Sequence, residues 1–148
     1  DRDADVATVD WLAARSQGRD TAVLWTSFGT NFAADASNVR TLFPLGGFLN
    51  LSGLPRDAIS GRHYAISRLM YVRKIGAGGE GFLNVPAYAG VAFEVGNVWD
   101  ERRAMGWGSA RKQGSAFFGF DTPLGPLYLG TGFGGADTPF YLFLGRAF

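Results

Sequence analysis

Hydrophobic residues alternate with small or polar ones along most of this chain. Alternation with period two is typical of β-strands, because successive side chains point to opposite faces of a sheet. A helical period could be considered only near residues 6–15, and alternation describes that segment better. The pattern predicts an all-β chain of seven strands, at residues 6–14, 21–32, 62–75, 84–99, 113–122, 127–133 and 140–148.

The predicted connections alternate in character. Those after the first, third and fifth strands are short and polar or rich in Gly or Pro, whereas residues 33–61 and 100–111 form long loops. Short periplasmic turns and long external loops are typical of membrane β-barrels. We therefore expect the two long loops outside the cell. The third short connection is a predicted periplasmic turn that contains Thr122, Pro123, Gly125 and Pro126.

Composition favours a membrane barrel over other classes. Gly makes up 22 of 148 residues and aromatics 15%, whereas charged residues are only 18%. Strands with one lipid face and one lumen face give such a balance. The net charge of +1 indicates no nucleic-acid partner, and the absence of Cys excludes disulfides and thiolate metal sites. No apolar run approaches the roughly 18 residues of a membrane-spanning helix.

An odd number of strands predicts that the chain is part of something larger. Bacterial barrels are closed and even-numbered, because an open edge in lipid leaves backbone groups unpaired. Either residues 41–51 supply an eighth strand or further strands precede the chain, and we favour the second. The start at Asp1, with neither Met nor an apolar signal segment, fits this expectation. We expect residues 1–148 to be the C-terminal portion of an outer-membrane β-barrel domain.

Four stretches, in order, resemble the bacterial surface antigen superfamily of outer-membrane barrels, which includes assembly factors and two-partner secretion transporters. Residues 45–53 are similar to a glycine-rich external loop that folds back into the barrel, with Ser52 at the position of the family's Arg. Residues 91–99 resemble a strand motif with an acid and a Gly, and residues 114–126 a strand and periplasmic turn. The final strand resembles the family's assembly signal. The resemblance implies roles for Gly46, Gly47, Ser52, Gly53, Glu94, Gly96, Phe140, Leu142, Leu144, Gly145 and Phe148.

The Gly-Gly-Phe-Leu-Asn-Leu-Ser-Gly sequence of residues 46–53 looks most like the barrel of patatin-like phospholipases, which are exported lipid acyl hydrolases. This resemblance implies an outer-membrane anchor or exporter for an attached N-terminal domain. Its implied partners are the lipid bilayer, the assembly machinery and that domain, with homo-oligomerisation left open. A protein-translocating or assembly barrel is the first alternative, and a soluble all-β binding domain is the second.

No catalytic chemistry is predicted for this chain. A patatin-type lipase needs a Ser nucleophile on a Gly-x-Ser-x-Gly turn, and no such run is present. His63 is the only His, and we interpret it as a residue of the barrel wall or of a loop base. Two Gly-x-Gly-x-x-Gly matches, at residues 76–81 and 130–135, continue into strands, whereas a nucleotide site needs a following helix. We expect no cofactor and no metal.

Glu94 is the most informative charged residue. Its neighbours Val91, Phe93 and Val95 form an apolar face that we assign to lipid, which places Glu94 in the lumen because a carboxylate facing lipid costs several kcal/mol. Pairing around a turn near residue 81 puts Arg68 opposite Glu94. We therefore predict that these two charges interact across neighbouring strands, as a device that holds the folded-in loop or as an ordinary cross-strand pair.

Large aromatic residues are predicted to mark the membrane interfaces, where barrels carry aromatic girdles. In a soluble sandwich the same residues would form the core, and one face of each strand would be polar. Residues 113–122 carry too little polarity for that alternative. The predicted girdle residues are Trp11, Trp25, Tyr71, Trp99 and Trp107.

Overall fold

The computed structural model describes residues 6–32, 42–76, 86–135 and 138–145. These residues form an all-β structure with no α-helix and two short 3₁₀ turns, at Arg102–Ala104 and Trp107–Ser109. No helix within them has the length and apolar character needed to cross a membrane. The strands are β1 (Val6–Gln17), β2 (Asp20–Asn31), β3 (Phe43–Leu45), β4 (Ile59–Gly61), β5 (His63–Lys74), β6 (Ala87–Trp99), β7 (Arg111–Thr122), β8 (Gly125–Phe133) and β9 (Phe140–Leu144).

Seven of the strands form one antiparallel sheet in the order β1-β2-β5-β6-β7-β8-β9. Every neighbour in this sheet is also the next long strand along the chain, so the sheet is a meander, as predicted. Within the described residues the sheet is open, with β1 at one edge and β9 at the other. The all-β antiparallel prediction is thus confirmed at the level of the sheet.

Residues 42–61 do not add an eighth strand to the sheet. The short strands β3 and β4 pair only with each other, in a separate two-stranded sheet. Gly46 and Gly47 follow β3 directly and have positive φ angles of 128° and 109°, so the chain turns away from an extended path at once. The first of our two explanations for an odd strand number is therefore wrong.

Several strand ends differ from the prediction. The first strand extends to Gln17 and turns at Gly18–Arg19, because Arg15, Ser16 and Gln17 pair with β2 despite their polarity. The fourth predicted strand corresponds to β6, which begins at Ala87 rather than at residue 84. Residues 77–85 lie outside the described part. The last strand is described over Phe140–Leu144, and the predicted assembly residue Phe148 lies outside the described residues.

The two faces of the sheet differ in what covers them. We call the face that carries Arg68 and Glu94 the inner face, because residues 45–54 pack against it, and the opposite face the outer face. On β6, the inner Ala92 and Glu94 are fully buried, whereas the outer Val91 and Phe93 are 41% and 60% exposed. The predicted division of this strand into an exposed apolar face and an opposite face that holds Glu94 is confirmed.

Two apolar clusters lie between residues 45–54 and the inner face. Phe48 and Leu49 pack with Met70, Ala92 and Phe117 of three successive strands. The second cluster joins residues of the same segment to β5, and its buried members are Leu45, Leu51 and Ile66. The core of the described residues therefore forms between the inner face of the large sheet and residues 45–54, with Leu45 of β3 and Ile59 of β4 contributing from the small two-stranded sheet.

Candidate functional site: the inner loop on the sheet

Residues 45–54, which we call the inner loop, form a compact turn stabilised by its own backbone. The N–H of Gly46 donates to the carbonyl of Asn50 at 2.9 Å, and the N–H of Gly47 donates to the carbonyl of Leu54 at 3.0 Å. Leu49 and Leu51 also have positive φ angles, of 58° and 69°, which are uncommon for residues with a side chain. Both leucines are almost fully buried, so apolar packing offsets the backbone strain.

Ser52 binds the carboxylate of Glu94 through two donors. Its backbone N–H lies 2.6 Å from Glu94 Oε2, and its hydroxyl donates to Glu94 Oε1 at 3.0 Å. The same hydroxyl oxygen accepts a hydrogen bond from the N–H of Leu49 at 2.8 Å. Glu94 lies five residues before Trp99, the last residue of β6. The contact with Ser52 is therefore about 17 Å from the end of that strand. Ser52 and Glu94 are both completely buried.

The predicted register of Arg68 and Glu94 is confirmed, and the two opposite charges attract each other, but no hydrogen bond or ion pair within 4 Å joins them. The two residues lie directly opposite each other on β5 and β6. Both oxygens of Glu94, however, accept hydrogen bonds from Ser52. The Arg68 guanidinium donates from Nη1 to the carbonyl of Leu49, and its centre lies 4.9 Å from the Trp25 ring. The two charges therefore hold the inner loop side by side and not through a direct ion pair.

Two residues that sequence reasoning missed complete the site. The N–H of Gly53 donates to Gln113 Oε1 on β7 at 2.8 Å. The hydroxyl of Tyr141 on β9 lies 2.9 Å from the carbonyl oxygen of Ser52 and 2.7 Å from that of Leu54, so its single proton serves two acceptors. Gln113 was predicted only as the first residue of a strand. The available signal was its place opposite Glu94 in the register.

Glycines on the sheet and in the inner loop allow the two backbones to lie close together. A side chain at Gly132 on β8 would overlap the carbonyl of Ser52, and one at Gly53 would lie 2.7 Å from the backbone nitrogen of Gly135. The predicted motif residue Gly96 is buried on the inner face opposite Ile66, two residues from Glu94. The structure thus brings together the predicted residues Gly46, Gly47, Ser52, Gly53, Arg68, Glu94 and Gly96.

The other predicted residues lie elsewhere. The turn between β7 and β8 is at the opposite end of the sheet from the entry of the inner loop, and its Thr122 hydroxyl donates to the carbonyl of Gly125 at 2.6 Å. Pro123 is in that turn, and Pro126 follows it in β8. Gly145 follows β9 with a φ of 114°. The remaining described residues of the predicted assembly signal point outward and are strongly exposed, namely Phe140, Leu142 and Leu144.

The predicted aromatic girdle is wrong for Trp25. Its register with Arg68 places it on the inner face, where its ring lies below the guanidinium. Trp11 and Tyr71 do project from the outer face. Trp99 is largely buried, with its indole N–H donating to Ser109 at 2.9 Å, while Trp107 is 69% exposed next to Lys112.

The hydrogen bonds of this site hold the inner loop against the sheet. His63 lies at the start of β5, buried, with its Nδ1 2.7 Å from the hydroxyl of Thr30. The described residues contain no group of three His, Cys, Asp or Glu side chains placed to hold a metal ion.

Comparisons with known proteins returned no similarity. No family model, no curated protein and no solved structure matches this chain.

Proposed function

We propose that this chain is part of a transmembrane β-barrel of the bacterial outer membrane, which anchors or exports an attached N-terminal domain. The sheet would be a segment of the barrel wall, with its outer face toward lipid and its inner face toward the lumen. Within the surface antigen class, we propose the type that carries a patatin-like phospholipase as the attached domain.

One observation carries the proposal: the outer face is broad, apolar and exposed. Acidic and basic residues on it lie only toward the strand ends, at Arg15, Asp20, Arg73 and Lys112 of the described strands. Soluble monomers rarely expose contiguous apolar patches larger than a few hundred Å². The outward side chains that are exposed over five adjacent strands are Leu69, Tyr71, Val91, Phe93, Phe118, Leu129, Phe133, Phe140, Leu142 and Leu144, with Val9, Trp11 and Phe28 beyond them.

The inner loop supports the narrower assignment. The resemblance implied a glycine-rich external loop that folds back into the barrel, with Ser52 at the position of the family's Arg. Residues 45–54 lie against the inner face, where Ser52 contacts Glu94 of the strand motif. The loop occupies the middle of the inner face, which suits an anchor better than an open channel. A translocating barrel would need this loop to leave the sheet.

Cysteine labelling tests which face meets lipid. Thr8 and Val9 are neighbours on β1, both exposed, and they point to the inner and outer faces respectively. In membranes, Val9→Cys should react with a lipid-soluble maleimide and resist a charged one, while Thr8→Cys should do the reverse. Ala92 is unsuitable as the aqueous position, because it is completely buried beneath the inner loop. Equal reaction of both variants with the charged reagent would favour the soluble all-β alternative.

The upstream reading frame distinguishes the attached domains. A Gly-x-Ser-x-Gly nucleophile segment encoded before this barrel would support the phospholipase, because that turn presents the serine for attack on an ester. Repeated periplasmic modules in its place would support the translocating or assembly alternative.

A further inference from the structure

A cavity of about 600 Å³ lies between the inner loop and the inner side of β1, β2 and β5. Small-molecule sites in proteins enclose about 300–1,000 Å³ and are mostly apolar with a few polar groups. This cavity has that character, since its only charged lining residue is Arg68 and its only amide side chain is Asn50. Its apolar wall consists of Leu12, Ala14, Val23, Trp25, Phe48, Leu49 and Met70.

Arg68 retains unused binding capacity at this cavity. Its side chain belongs to a residue only 7% exposed, and Nη1 donates to the carbonyl of Leu49. No hydrogen-bond acceptor among the described residues is within reach of its Nε. Arg68 is also in none of the ion pairs that those residues form. The carboxylate of Glu94 lies opposite Arg68 in the register and attracts it, but its two oxygens accept hydrogen bonds from Ser52. The guanidinium therefore keeps donors that an anion in the cavity can use, which would offset the cost of burying the charge.

We propose that this cavity binds the anion of a long-chain fatty acid. The carboxylate would accept hydrogen bonds from the guanidinium of Arg68, which lines the cavity, and the acyl chain would lie along the apolar wall over Trp25 and Met70. A carboxylate matches the planar guanidinium in geometry. A phosphate dianion fits less well, because it needs more donors and carries more charge toward the nearby carboxylate of Glu94.

Binding of this kind goes beyond the proposed anchoring role, which needs no ligand. It also does not depend on the lipid-facing assignment, because every lining residue lies on the inner face or on the inner loop. Failure of fatty-acid binding would leave the outer face and the cysteine-labelling result unchanged. The reverse also holds, so the two proposals can fail separately.

Photo-crosslinking with a diazirine analogue of palmitate tests the site. The full-length protein, folded in a non-ionic detergent, is irradiated with the probe, and labelled residues are mapped by mass spectrometry. We expect labelling at Leu12, Val23 or Met70 that is competed by unlabelled palmitate. Hexadecanol and hexadecyl phosphate should compete at least tenfold less well. Hexadecanol has no negative charge to pair with Arg68, and hexadecyl phosphate carries more negative charge than a carboxylate.

Three substitutions at two positions, with one control, separate binding from folding. Arg68→Gln removes the cation and should lower inner-face labelling at least tenfold, whereas Arg68→Lys should retain part of it. Val23→Trp leaves Arg68 unsubstituted and places a larger side chain in the cavity, so it should also abolish labelling. The matched control is Leu24→Trp, the next residue on the outer face, which should label like the unmodified protein. Circular dichroism and urea unfolding confirm that each variant is folded, whether or not the protein is a membrane barrel.

Three results would overturn the proposal. The first is labelling confined to outer-face residues such as Leu69, which would reflect bulk detergent or lipid. The second is equal competition by palmitate and hexadecanol, which would remove the role of the charge. The third is undiminished inner-face labelling in folded Arg68→Gln and Val23→Trp.

Discussion

At the scale of single residues, one serine and one glutamate connect the inner loop to the sheet. Ser52 presents its N–H and its hydroxyl to the two oxygens of Glu94, and neither residue reaches solvent. Hydrogen bonds to a charged acceptor contribute about 1.5–3 kcal/mol, more than neutral ones. A buried carboxylate with two donors is therefore a strong determinant of where the loop lies.

Glu94→Gln should destabilise the protein by about 1.5–3 kcal/mol, because an amide offers one oxygen in place of two and turns an N–H toward the Ser52 donors. Urea unfolding in lipid vesicles measures this loss. The matched control is Glu101→Gln in the exposed loop after β6, which should change stability by less than about 0.5 kcal/mol. Equal effects of the two substitutions would contradict the role of Glu94.

Gly132→Ala should displace the inner loop, because the added methyl group would overlap the carbonyl of Ser52. Overpacking of this kind costs about 1–3 kcal/mol. Arg56 is already exposed shortly after the inner loop, and its backbone would be held less firmly once the loop is displaced, so limited trypsin digestion should cut there faster than in the unmodified protein. Gly108→Ala is the control, since nothing lies within 4 Å of its added side chain. An unchanged digestion pattern in Gly132→Ala would show that the loop tolerates the methyl group.

At the scale of elements, the inner loop ties β9 to the middle of the sheet. The strand pairs on one side only among the described residues, through β8. Its Tyr141 also contacts the Ser52 and Leu54 carbonyls, and its ring packs 5.5 Å from Phe48. A strand at an edge is thereby held by a loop that enters from between β2 and β5.

Tyr141→Phe removes the hydroxyl and keeps the ring, so it isolates this contact. We expect a loss of about 0.5–1.5 kcal/mol and faster hydrogen exchange at the backbone amides of the inner loop and β9. Tyr71→Phe is the comparison, because it removes a hydroxyl bonded to Asp20 on the outer face at 2.6 Å. If both variants accelerate exchange in the inner loop alike, Tyr141 does not connect the two elements.

At the scale of the whole molecule, the membrane proposal depends on the contrast between an exposed apolar outer face and a covered inner face. Leu129 is 50% exposed on the outer face of β8. In a bilayer, Leu129→Arg should cost about 2–4 kcal/mol near the midplane, and the yield of folded membrane protein should fall. Glu101→Arg, in the exposed loop after β6, should leave the yield unchanged. A soluble, well-folded Leu129→Arg variant would contradict the membrane proposal.

Alternation along the chain determined the strands, their number in the main sheet and their facing. Period-two patterning needs no long-range information, because it reflects which side of each strand is buried. Register was predictable where a turn fixed it, as for Arg68 opposite Glu94. The exceptions were polar strand ends such as Gln17, which sheet pairing extends beyond the apolar pattern.

Tertiary structure alone decided what the inner loop touches. Ser52 is 42 residues from Glu94 and 89 from Tyr141, and no periodicity relates such distant positions. The outcome depends on the loop's positive φ angles, on glycines that admit its backbone and on the burial of Leu49 and Leu51. Trp25 lies beneath Arg68 on the inner face, because it is directly opposite Arg68 in the register of β2 and β5. The hydropathy of a tryptophan does not indicate which face of the sheet it occupies.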